Sequence, residues 1–144
     1  MIIFYPAPGD KIKFYMGRVI KYLGVAILLG YGVSIWAEEG LPVLPGEVIS
    51  AMKSGNASLL ARYFNSSIEL EIMGKDAIYS KSQAEMIMKD FFSKNSPVNF
   101  TVRFEGGPEN ARYAVGTLAT SRGNYRVNIL IKDNLIHQLR IDRE

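Results

Sequence analysis

One amphipathic stripe, followed by nothing but two-residue alternation, limits this chain to very few folds. Ala84, Ile87, Met88, Phe91 and Phe92 fall on one side of a helix, with Lys89, Asp90 and Lys94 opposite. Ser80-Lys-Ser-Gln83 in front of them has the form of a capping box, and Asn95 and Pro97 end the run. Beyond it Phe100, Val102 and Phe104 share a face against Thr101, Arg103 and Glu105. Gly106-Gly-Pro-Glu-Asn110 is a turn, and residues 113–120 and 125–132 flank a hairpin loop in which Gly123 is free to take positive φ. Asp133-Asn134 turns into a last strand, with Leu135, His137, Leu139 and Ile141 expected on one face. A long helix followed by an antiparallel meander hides both apolar surfaces when the sheet curves around the helix, which places the chain in the α+β class.

Upstream of the stripe, a helix is expected from Pro45 or Gly46, with Val48, Ile49 and Met52 inward and Gly55 as a left-handed stop. Asn56 caps a second helix carrying Leu59, Leu60, Tyr63 and Phe64. The period then switches: Ile68, Leu70 and Ile72 alternate with Glu69 and Glu71, Gly74-Lys-Asp76 turns, and Ala77-Ile-Tyr79 returns.

Charge divides the chain in two. The formal net charge is +3, and residues 1–37 carry all of it, with four basic side chains against one acidic; residues 38–144 hold 13 of each. A neutral domain lacks the footprint that a phosphate backbone rewards, so nucleic acid is not an expected partner. Within 1–37, Arg18 and Lys21 precede an apolar run at about residues 22–33, and Ser34-Ile-Trp-Ala37 follows. That is the order of a signal peptide with cleavage near Ala37, which implies export to the periplasm or beyond; the run is short of the roughly 20 residues a membrane span needs. An uncleaved anchor is the other reading, and then membrane contact comes only through this segment. Met16, immediately before the basic residues, is a better start than residues 1–15 provide. Residues 38–144 are expected to be a single domain, and an apolar share of 48% over the whole chain is enough for a core. No cysteine is present, which excludes disulfides, thiolate metal sites and a cysteine nucleophile.

The element order resembles the nuclear transport factor 2-like superfamily, a cone-shaped α+β fold of the cystatin-like kind that often holds a pocket between sheet and helices. Ser54-Gly-Asn56, Tyr79-Ser-Lys-Ser-Gln-Ala84, Phe91-Phe-Ser-Lys-Asn-Ser-Pro97, Gly116-Thr-Leu-Ala-Thr120 and Ile136-His-Gln-Leu-Arg-Ile141 are similar to a small exported family, domain of unknown function 4783, over residues 44–144. Members of that family carry a histidine near position 104, where this chain has Phe104, so no role for it is carried over. The resemblance implies the fold and the export, and no activity.

His137 is the sole histidine, expected on the apolar side of the last strand as a pocket acid or base or as a core side chain. One histidine without cysteines makes no metal site, and no cofactor motif is present. Superfamily isomerases need inward carboxylates. Here Asp76 and Asp133 fall in turns, Asp90 on the polar stripe, and Glu69, Glu71 and Asp142 outward; a one-residue slip in register would reverse a strand's assignment. Tyr79, Tyr113, Tyr125 and Phe91 are the aromatic candidates for a pocket, or else core. Arg103, Arg126 and Arg140 read as solvated outward charge, and Met86 on the polar side of its helix hints at a contact surface. The leading expectation is a non-catalytic binding module that takes a small apolar molecule or an envelope protein in its pocket or on its sheet. A small isomerase or lyase using His137 and a tyrosine is the alternative, and a homodimer formed through the sheet a third.

Overall fold

The computed structural model describes residues 42–144; the export segment expected at residues 1–37 lies outside the described residues. Helix α1 (Gly46–Ser54) ends on Gly55, whose φ of 67° is the left-handed stop expected of it. Helix α2 (Ala57–Ala61) is capped by Asn56, which accepts from the Leu59 amide at 2.9 Å. It is shorter than expected: Tyr63 and Phe64 leave the helix, because the Tyr63 carbonyl accepts from the Ile136 amide at 2.6 Å and Phe64 already pairs with Ile136. Pairing with the sheet overrides the helical pattern there.

Strands β1 (Phe64–Ile72) and β2 (Lys75–Ser80) form a hairpin, helix α3 (Lys81–Lys94) follows, and β3 (Pro97–Gly106), β4 (Arg112–Thr120), β5 (Gly123–Lys132) and β6 (Leu135–Arg143) make the meander. The six strands are ordered β2-β1-β6-β5-β4-β3, antiparallel throughout except for the parallel pair β1–β6. Both halves of the α3 capping box are made: the Ser80 hydroxyl accepts from the Gln83 amide, and the Gln83 side chain accepts from the Ser80 amide. Ala84, Met88, Phe91 and Phe92 of α3 are buried with Ile68, Leu70, Leu118, Tyr125, Val127, Ile129, Leu139 and Ile141 of the sheet, so the stripe and the inner sheet face are one core.

Two of the sheet's register shifts turn over side chains whose faces strict alternation had assigned. Val102 faces Gly116 while Phe104 faces Val115, leaving Arg103 as the extra residue. Phe104 therefore leaves the inner face and stands 53% exposed, whereas Glu105 swings in opposite the buried Ala114. Its Oε1 accepts from the Leu44 amide at 3.0 Å. In β6, Leu130 faces Gln138 while Ile131 faces Ile136, so His137 is the extra residue. Ile136, not His137, joins Leu139 and Ile141 in the core.

Candidate binding groove

An open groove lies between the inner face of the β1–β2 hairpin and the C-terminal half of α3. In β2, Lys75, Ala77 and Tyr79 oppose Ile72, Leu70 and Ile68, so these side chains share the inner face with the core residues of β1. Leu70 and Phe91 form the buried floor, Ile72, Tyr79 and Ile87 the half-buried walls, and Met73, Lys75, Asp90 and Lys94 the exposed rim. The cavity is about 360 Å³, within the range of small-molecule sites. Tyr79 and Ile87 also border a shallower hollow reaching Gln83 and Met86, which is 71% exposed. Met86, read from the sequence as a hint of a contact surface, thus stands beside the groove.

Polar groups around the groove are mostly committed. Asn95 is buried; its Oδ1 accepts from the Tyr125 hydroxyl at 2.8 Å and its Nδ2 donates to the Phe91 carbonyl at 3.0 Å. Lys94 Nζ and Asp90 Oδ2 are 2.8 Å apart. The Lys75 side chain forms no hydrogen bond or ion pair with any described residue. On the opposite sheet face Glu71 and Asp142 are paired with arginine: Arg140 donates to Asp142 at 2.7 Å and lies 3.3 Å from Glu71. The Asp142 hydrogen bond, and then its charge and that of Glu71, hold the Arg140 guanidinium above its ordinary pKa.

The aromatic candidates are thus divided. Tyr79 and Phe91 meet in the groove, and Tyr125 stands behind Phe91 in the core, their rings edge to face at 5.3 Å. Tyr113 is on the other face of the sheet, 42% exposed and stacked on Phe104 at 5.6 Å. His137 is half-buried at its bulge and is not among the groove residues. Among the described residues the groove is lined by one carboxylate, Asp90, already in an ion pair, and by no imidazole, so the expected pairing of His137 with a tyrosine is not made there. Among the described residues no three of His, Cys, Asp or Glu converge as a metal site would require. Met73 and Lys75 were not singled out from the sequence, and Ile87 only as part of the apolar stripe, although the alternation that selects Tyr79 also selects Lys75.

A curved six-stranded sheet around one long helix defines the nuclear transport factor 2-like class. A protein of that class from Cytophaga hutchinsonii, 12% identical, superposes with a TM-score of 0.51 over 68% of this chain and 84% of its own, a likeness of fold alone. The chain belongs to the family described as domain of unknown function (DUF4783), whose model matches residues 45–142. A member from Bacteroides ovatus is 37% identical over 70% of this chain and 96% of its own, with a TM-score of 0.67. Another, from Bacteroides uniformis, is 35% identical over 70% and 97%, with the same TM-score. No functionally curated protein matches the chain.

Proposed function

We propose that this protein is an exported, non-catalytic binding module that takes up a small apolar molecule in the groove between β1–β2 and α3. The observation that carries this reading is the composition of that groove. Leu70, Ile72, Met73, Tyr79, Ile87 and Phe91 offer apolar surface, while Asn95, Asp90 and Lys94 are already partnered. A concave apolar site with few free polar groups favours capture over chemistry. Met73 adds to the case. It occupies a left-handed turn position (φ 52°) that Asn or Gly fills at less cost, yet its thioether borders the groove, and methionine adapts to varied ligand shapes. Export is supported by the basic, apolar and small-residue order around Arg18, residues 22–33 and Ala37.

Native mass spectrometry of the protein, purified gently from expressing cells, tests both parts. Export with cleavage gives a chain beginning at Glu38, and occupancy gives an added small-molecule mass that disappears in Ile87→Lys. A chain that keeps its N-terminal segment would refute the cleavage. A protein that stays empty and takes up no apolar probe would refute the groove.

A further inference from the structure

Resting on that reading of the groove, we infer that its ligand is a single-chain amphiphile with an anionic head, and that Lys75 is the group that holds the head. The groove is apolar along its length but not at its rim. Three charged side chains stand there, Lys75, Asp90 and Lys94, and two of them cancel: Asp90 and Lys94 are one turn apart on α3 and bonded at 2.8 Å. Among the described residues, what remains is a single positive charge on Lys75.

Strand geometry fixes which way that charge acts. Lys75 opposes Ile72 on the inner face, directly beside apolar lining, whereas its neighbour Asp76 opposes Glu71 on the outer face. The hairpin thus sorts its charges, cation over the groove and carboxylates behind it. Arg140 stands with those carboxylates, drawn to Glu71 and Asp142, so the outer face supplies its own countercharge and has no claim on Lys75. A lysine with a long apolar stem suits such a place, because the stem extends the groove wall while the ammonium stays in water at its mouth. A ligand with an apolar tail and an anionic head satisfies both parts together; a neutral or cationic head leaves Lys75 unused or repels it.

The test uses the full chain and three probes with the same alkyl tail: decanoate, decanol and decyltrimethylammonium, by isothermal titration at low and high salt. Decanoate should bind tightest. Lys75→Gln should weaken decanoate about fivefold, the scale of one exposed charge pair, and leave decanol unchanged. High salt should erase most of decanoate's advantage over decanol. Equal binding of decanoate and decanol, both indifferent to Lys75→Gln, would overturn the anionic head and leave the apolar groove standing. No binding of any probe, with a folded protein by circular dichroism, would overturn both readings. Sedimentation with phosphatidylglycerol vesicles in the absence of decanoate binding would replace the free amphiphile with a membrane surface and so overturn the inference as well.

Discussion

The Tyr125 hydroxyl donates to Asn95 Oδ1 at 2.8 Å, both side chains are buried, and through this bond β5 holds the C-terminal end of α3 in place. Asn95 is also the residue that ends that helix and is one of those lining the groove. Tyr125→Phe keeps the ring against Phe91 but strands a buried amide oxygen, which costs about 1–3 kcal/mol. For a domain of this size that is a fall in Tm of about 4–8 °C per kcal/mol. Asn95→Ala and the double variant complete a mutant cycle in thermal unfolding. Coupling near zero would mean that the bond holds nothing.

Much of this architecture is legible in the residues, and where the reading stops is physically specific. The capping box at Ser80, the stripe through Phe92 and the left-handed stop at Gly55 are local, so the sequence alone locates them. Bulges are different. The turnover of Phe104 and Glu105, and that of Ile136 and His137, depends on an extra residue between paired strands, and no feature of a single strand reports it. The groove was half visible for the same reason: Tyr79 and Phe91 have signals of their own, while Met73, Lys75 and Ile87 acquire meaning only once the hairpin lies beside the helix.

Gly116 marks a second place where the fold leaves no slack. A Cβ added there would lie 2.6 Å from two atoms of the Phe100 ring, which occupies that space from β3. Gly116→Ala should therefore destabilise by about 1–3 kcal/mol, the cost of overpacking a filled core. Adding Phe100→Leu should recover part of the loss in the same denaturant titration. Were Gly116→Ala neutral alone, the ring would have room to move and the close packing would not explain the glycine.

The Tyr63 hydroxyl donates to a Glu47 carboxylate across α1 and the start of β1, and this bond, more than burial or charge, raises the Tyr63 pKa above the ordinary phenol value. The sign follows from the neutral form being the one that donates. Its contribution is whole below the ordinary phenol pKa and is lost as pH rises through the raised one. An absorbance titration, taken as the difference between wild type and Tyr63→Phe, should show this phenol ionising later than an unperturbed tyrosine. Glu47→Gln should bring it back toward the ordinary value. A Tyr63 component that does not move on that change would remove Glu47 as the cause.

Met73 and Gly74 are the two central residues of the β1–β2 turn, with φ of 52° and 79°, and the corresponding β5–β6 turn is Asp133-Asn134 at 50° and 60°. The second pair is what such a turn asks for; methionine is not. Left-handed backbone costs an ordinary side chain about 1–2 kcal/mol, and Asn evades much of that by bonding locally. Met73→Asn should accordingly stabilise the protein by about 1 kcal/mol, with the Met73 amide bond to the Ile141 carbonyl retained. The same change removes a thioether from the groove rim, so binding of an apolar probe should weaken by roughly fivefold, the worth of part of one apolar side chain. Opposite movements of Tm and affinity in one variant identify a position where stability has been given up for binding. A gain in Tm with affinity unchanged would leave the strain explained and Met73 outside the site. A fall in Tm would show that the left-handed turn is not what limits this hairpin.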